Sequence, residues 1–123
     1  MTGHTQHKEM LQQIAGLPVN SDVPVIAMVT RLVKQKGLDL VTRVIEDILK
    51  MNVQLIVLGT GDNDYQDFFE YYASSYPAKI ASFIQFNNAI ASKVYAGSDI
   101  LLMPSLFEPC GLSQMIAMAY GTL

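Results

Sequence analysis

Residues 23–58 read V-P-V-I-A-M-V-T-R-L-V-K-Q-K-G-L-D-L-V-T-R-V-I-E-D-I-L-K-M-N-V-Q-L-I-V-L. Three patterns follow one another in this stretch. Residues 23–29 form a short, almost unbroken apolar run, the composition of a strand covered on both faces. Residues 38–50 place Val41, Val44, Ile45 and Ile48 at helical spacing with polar residues between them. Residues 53–58 form a second strand-like run, stopped by Gly59-Thr60-Gly61. Strand, helix and strand in succession make a βαβ unit, which joins two parallel strands of one sheet.

The alternation continues outward. Asp62 or Asn63 can cap a helix whose Tyr65, Phe68, Phe69 and Tyr72 share a face, and Pro77 closes it. Residues 79–86 read as a third strand. Asn87 or Asn88 opens a short helix over 89–96 that ends at Gly97. Residues 99–103 (D-I-L-L-M) read as a fourth strand, and 111–120 as an apolar helix after the loop 104–109. The predicted fold is therefore α/β, a Rossmann-like parallel sheet with helices on both faces. Upstream, 8–15 form a short helix ended at Leu17-Pro18. Residues 1–7 are polar and without period, which reads as a disordered or extraneous N-terminal tail. Residues 8–123 read as one partial α/β domain, cut before its end, because a further strand would normally begin after Gly121.

Composition narrows the function classes. The 123 residues carry a net charge of −3, half are hydrophobic and 15% are charged. That is a globular composition, since disordered chains have few apolar residues and high charge. A pI near 5.1 argues against nucleic acid as a partner, because phosphate-backbone binding needs a broad basic surface. No apolar run reaches the ~18 residues of a membrane span, so no membrane partner is expected. A single cysteine, Cys110, excludes an internal disulfide and fits a reducing, cytoplasmic setting. His4 and His7 are too few to suggest a metal site, and no metal is expected.

In sheets of this kind ligands bind beyond the carboxyl ends of the strands. The loop after the first strand gathers Arg31, Lys34 and Lys36, three of the eight Lys and Arg residues. Arg31 leaves the strand, and Lys36-Gly37 opens the next helix, whose unpaired N–H groups favour an anion. Arg31 with Lys36 reads as a phosphate or diphosphate site, and Gly37 lets the backbone turn closely. Lys34 reads as solvated. The G-T-G-D-N-D loop lacks the third glycine of a dinucleotide fingerprint, although Gly59 and Gly61 can let a ligand approach the backbone. Phe86, at the third strand's end, is either core or a stacking platform for a base. Glu108 is either a helix-start acid or a carboxylate accepting hydroxyl hydrogen bonds from a polyol. Cys110 lies one residue into that helix without a base beside it, so it does not read as a nucleophile.

The motifs R-L-V-K-Q-K-G-L-D (31–39), L-G-T-G-D (58–62) and P-S-L-F-E-P-C-G-L (104–112), with the opening H-K-E-M-L-Q-Q-I-A-G-L-P (7–18), resemble the bacterial glycogen synthase and plant starch synthase family. The resemblance covers residues 8–123. It implies the C-terminal Rossmann-like half of a GT-B glycosyltransferase, a retaining enzyme that moves glucose from ADP-glucose or UDP-glucose to the non-reducing end of an α-1,4-glucan. It implies that Arg31 and Lys36 hold the donor diphosphate and that Glu108 binds the donor glucose. The backbone N–H groups of Cys110, Gly111 and Leu112 would serve sugar or phosphate, and Phe86 would stack on the adenine where the family often has Tyr. Leu106 stands where some members have Arg. The acceptor would bind through an N-terminal domain outside these residues, so the chain by itself is expected to be inactive. Exposed apolar surface at the cut would favour self-association. Other GT-B nucleotide-sugar transferases, or a non-catalytic α/β binding module, are the alternatives.

Overall fold

The structure is a computed structural model that describes residues 2–34, 37–85 and 87–103. At its centre β1 (Val25–Val29) and β2 (Gln54–Leu58) run parallel, with Val25 opposite Gln54 and Val29 opposite Leu58. β3 (Ile80–Phe83) flanks β2, and the two-residue β4 (Ile100–Leu101) flanks β1. All pairs are parallel, and the strand order is β3-β2-β1-β4.

The helices are α1 (Thr2–Ala15), α2 (Leu38–Lys50), α3 (Asn63–Ser75) and α4 (Asn88–Gly97). They cover both faces because successive strand residues point to opposite sides. Ile26, Met28, Leu55 and Val57 join Val41, Val44, Ile45 and Ile48 of α2 and Phe69 of α3 in one core. Val25, Ala27, Ile56 and Leu58 join Leu11 of α1 and Val94 of α4 in the other. Each fully buried aliphatic side chain contributes about 1.5–3 kcal/mol. That is why β1 and β2, buried from Val25 to Met28 and from Gln54 to Leu58, read as unbroken apolar runs. The one polar member, Gln54, is satisfied by donating to the Pro18 carbonyl and accepting from the Gln12 amide, each at 2.9 Å.

Three expectations are corrected. Residues 2–7 belong to α1, which starts at Thr2 and not at Lys8. What orders this polar segment lies far along the chain. His4 meets Asp99 at 2.8 Å, and Lys8, only 5% exposed, pairs with the same carboxylate. The backbone of α1 also packs so closely on α4 that a Cβ on Gly97 would stand 2.6 Å from the His7 carbonyl oxygen. β3 ends at Phe83, short of the predicted residue 86. β4 is confined to Ile100–Leu101, and just before it the Asp99 carboxylate accepts from the Val25 N–H. The predicted helix over 111–120 and the loop 104–109 lie outside the described residues.

Sheet order follows from the crossovers. β1-α2-β2-α3-β3 winds outward with both helices on one face. The chain then returns through α4 on the other face and places β4 on the far side of β1. The winding reverses between β1 and β4, and at that point the loops diverge and leave a crevice beyond the strand ends.

Candidate functional site

The loops after β1 and β2 run side by side past the sheet and remain bonded to each other. The Thr30 N–H donates to the Leu58 carbonyl at 3.1 Å, the Leu32 N–H to Thr60 at 2.9 Å, and the Asp62 N–H to Leu32 at 2.9 Å. Leu32 and Gly61 form a parallel bridge. The glycines make this contact possible. A Cβ on Gly59 would lie 1.8 Å from the Thr30 carbonyl oxygen, and one on Gly61 would lie 2.3 Å from that of Leu32. The close approach that the G-T-G turn permits is thus to the neighbouring backbone of its own chain.

This pairing fixes where the first loop leaves the sheet. Arg31 is exposed at the end of β1, between the buried residues Met28 and Leu32. Lys34 is exposed as well, and neither cation forms an ion pair among the described residues. Gly37 is the N-cap of α2 at φ 76°, ψ 19°, a left-handed conformation that costs other residues about 1 kcal/mol or more. Its N–H donates to the Lys34 carbonyl at 3.1 Å, which closes the turn. The α2 N-cap makes no side-chain cap bond, whereas at α4 the Asn87 Oδ1 accepts from the Ala89 and Ile90 N–H groups. Of the two predicted openers of this helix, Asn87 and Asn88, Asn87 is the cap. Asp62 is the N-cap residue of α3 but makes no side-chain cap bond.

A cavity of about 240 Å³ opens beside these loops, lined by Val29, Leu58, Gly59, Asn87, Asn88, Ala91 and Tyr95. It joins the carboxyl ends of β1 and β2 to the start of α4, and its lining combines apolar residues with Asn87 and Asn88. A larger hollow of about 320 Å³ sits at the outer edge of the sheet, against β3 and the C-terminal ends of α1 and α3. No residue of β1, β2 or the loops after them lines it, so the smaller cavity, at the carboxyl ends of those strands, is the better candidate.

Of the site residues predicted from sequence, Arg31, Gly37, Gly59 and Gly61 fall in this region. Lys36, Phe86, Glu108, Cys110, Gly111 and Leu112 lie outside the described residues. Phe86 is the immediate neighbour of Asn87, which lines the cavity. Two features were not read from the sequence. Tyr95, 54% exposed, borders the cavity. Tyr65, read only as one of four aromatics sharing a face of α3, donates its hydroxyl to Asp39 Oδ1 at 2.5 Å. That hydrogen bond, with burial and the charges of Asp39, Asp62 and Asp64, pushes the Tyr65 phenol up to about 12. The clue to it was the acidic residue in the first turn of α2, facing a helix that starts G-D-N-D-Y.

Comparison with known proteins bears on the whole chain. Residues 10–123 match the family described as Glycosyl transferases group 1. The chain is 56% identical over 119 residues to a glycogen synthase of Bacillus cereus (strain B4264), and 53% identical over 119 residues to one of Clostridium acetobutylicum. Each alignment covers 97% of this chain and 25% of the relative, so the chain spans about a quarter of their length. Among solved structures, the catalytic domain of starch synthase IV from Arabidopsis thaliana, bound to ADP and acarbose, matches with a TM-score of 0.74 at 34% identity. That match covers 96% of this chain and 25% of the other. The parallel sheet and its flanking helices are thus those of part of a GT-B starch synthase catalytic domain, and the chain belongs to the group 1 glycosyl transferases.

Proposed function

We propose that this chain is the donor-binding part of a glycogen or starch synthase that transfers glucose from ADP-glucose to the non-reducing end of an α-1,4-glucan. The observation that carries this reading is the 0.74 TM-score match, at 34% identity, to a starch synthase domain bound to ADP. The Bacillus and Clostridium glycogen synthases support the same reading. The site fits a nucleoside diphosphate in its parts. Exposed Arg31 and the start of α2, whose N-cap makes no side-chain cap bond, offer positive charge, with Lys36 as the second cation. Both cations would stabilise the negative charge that grows on the diphosphate as the glucosyl bond breaks. The cavity beside Asn87 would hold the base, with Phe86 stacked on it. Glu108 would accept hydrogen bonds from the donor glucose, and the N–H groups of Cys110, Gly111 and Leu112 would complete the sugar and phosphate contacts. No metal or other cofactor is assigned a role, and the setting is cytoplasmic.

The acceptor glucan would bind on residues beyond these, so the chain alone would not turn over ADP-glucose. The exposed Leu101 and Met103, at 44% and 55%, support self-association of the isolated chain. The test is transfer of labelled glucose to an α-1,4-glucan by the full-length gene product. Faster transfer from ADP-glucose than from UDP-glucose is expected, and Arg31→Ala should weaken ADP binding. A full-length product that neither binds ADP nor labels glucan would overturn the reading.

A further inference from the structure

The start of α2 offers its first N–H groups to an anion, yet its own first turn carries a carboxylate. Asp39 lies two residues after the Gly37 N-cap. A carboxylate there is attracted to the helix N-terminus and competes with an incoming phosphate for it. It would also repel that phosphate directly. In the structure the Asp39 carboxylate is engaged elsewhere. Tyr65, in the first turn of α3, donates to Asp39 Oδ1 at 2.5 Å, and the Asp39 backbone carbonyl accepts from Thr42 Oγ1 at 2.8 Å. Tyr65 is itself held in place. Its N–H donates to the Asp62 carbonyl at 3.1 Å, and the Asp62 N–H is bonded to Leu32 in the first loop. The Gly61 N–H, on the same turn, donates to Gln66 Oε1 at 2.9 Å.

We propose that Tyr65 is a positioning residue for donor binding: its hydroxyl holds the Asp39 carboxylate on the α3 side and leaves the start of α2 open to the diphosphate. The second loop would then serve the first one's anion site without touching the ligand. This rests on the donor reading above. Removing the hydroxyl frees a negative charge beside the diphosphate, and removing that charge as well relieves the repulsion. A purely structural contact would give no such relief.

The experiment is calorimetric titration of the full-length gene product with ADP and with AMP. The proteins are wild type, Tyr65→Phe, Asp39→Asn and the double variant, each checked by thermal unfolding. Tyr65→Phe should weaken ADP binding about tenfold and AMP binding less than about threefold, as one misplaced charge near the second phosphate would. The double variant should return to within about threefold of wild type for ADP, and Asp39→Asn alone should bind ADP at least as tightly as wild type. Unchanged ADP affinity in Tyr65→Phe, equal losses for ADP and AMP, failure of the double variant to recover, or weaker binding by Asp39→Asn would each overturn the proposal while leaving the donor reading in place. If the wild-type protein binds no ADP, the donor reading falls and this proposal falls with it.

Discussion

Lys8 and Asp99 form a 2.8 Å ion pair whose lysine is 5% exposed and whose aspartate is 27% exposed. The same carboxylate accepts from the Val25 N–H at 2.8 Å and meets His4 at 2.8 Å. Three segments that are distant in sequence converge on one side chain: the first helix, the start of β1 and the start of β4. Replacing Asp99 by Asn leaves Lys8 nearly buried without its counter-charge and weakens the bond to Val25. We expect Asp99→Asn to cost about 2–3 kcal/mol of unfolding free energy, measured by urea denaturation at neutral pH. A loss below about 0.5 kcal/mol would show that Lys8 rests on the Ser21 carbonyl alone.

The same site sets an acid limit. Burial works against the Asp99 charge, but the hydrogen bonds from Lys8, Val25 and His4 outweigh it and hold the carboxyl below its ordinary value of 3.8. A lowered folded value means that the unfolded chain takes up the proton first as pH falls. The stabilisation is therefore complete above the ordinary aspartate value and is lost as pH falls through the lowered one. The stability gap between wild type and Asp99→Asn should be full at about pH 6 and should shrink as pH falls below the ordinary aspartate value. A gap that stays constant across that range would remove the charge from the explanation.

At the alkaline end the signs reverse. Tyr65 and Tyr72 donate their hydroxyls to Asp39 and Glu46, and both phenols are pushed up to about 12. A raised folded value gives stability that is complete below the ordinary tyrosine value near 10 and is lost as pH rises through about 12. Ultraviolet titration should show late-ionising phenols in the native protein that the urea-unfolded chain lacks. Tyr65→Phe and Tyr72→Phe should each remove one of the late-titrating groups.

Gly59 and Gly16 make a matched pair for backbone packing. A Cβ on Gly59 collides with the Thr30 carbonyl oxygen at 1.8 Å, whereas at Gly16 (φ 74°) a Cβ meets nothing within 4 Å. Gly59→Ala must push the two loops apart and should cost about 3 kcal/mol or more. Gly16→Ala pays only for its left-handed backbone, about 1 kcal/mol. Thermal unfolding of the two variants side by side checks the ranking, and equal losses would contradict it.

The cation cluster divides by function. Arg31 and Lys34 are both exposed, so replacing either by Ala should change stability by no more than about 0.5 kcal/mol. Only Arg31→Ala should cost ADP affinity in the full-length gene product, by about tenfold or more, as loss of a charge-assisted phosphate contact does. Lys34→Ala should stay within about twofold of wild type. Comparable losses at both positions, seen by calorimetry, would mean that the loop acts as an undivided basic patch.

Periodicity alone determined most of the architecture. Val41, Val44, Ile45 and Ile48 recur at helical spacing, and Leu38–Lys50 is the helix observed. The unbroken run from Gln54 to Leu58 is a strand buried along its length. These signals are local, because burying one face of a helix or both faces of a strand constrains neighbouring residues in a fixed rhythm. The Asn87 cap was legible for the same reason, since its partners Ala89 and Ile90 lie within three residues. Tertiary structure decided what depends on distant partners. Residues 2–7 have no apolar rhythm, yet they are helical because Asp99 and the close face of Gly97 receive them. Gly59 and Gly61 resembled part of a phosphate loop, but the groups at close range to them are Thr30 and Leu32. Tyr65 followed the spacing of a core residue, and only the packing of α3 beside α2 placed its hydroxyl on Asp39. A hydrogen bond or an ion pair needs two specific atoms about 3 Å apart, and a sequence names such atoms without saying which of them the fold will bring together.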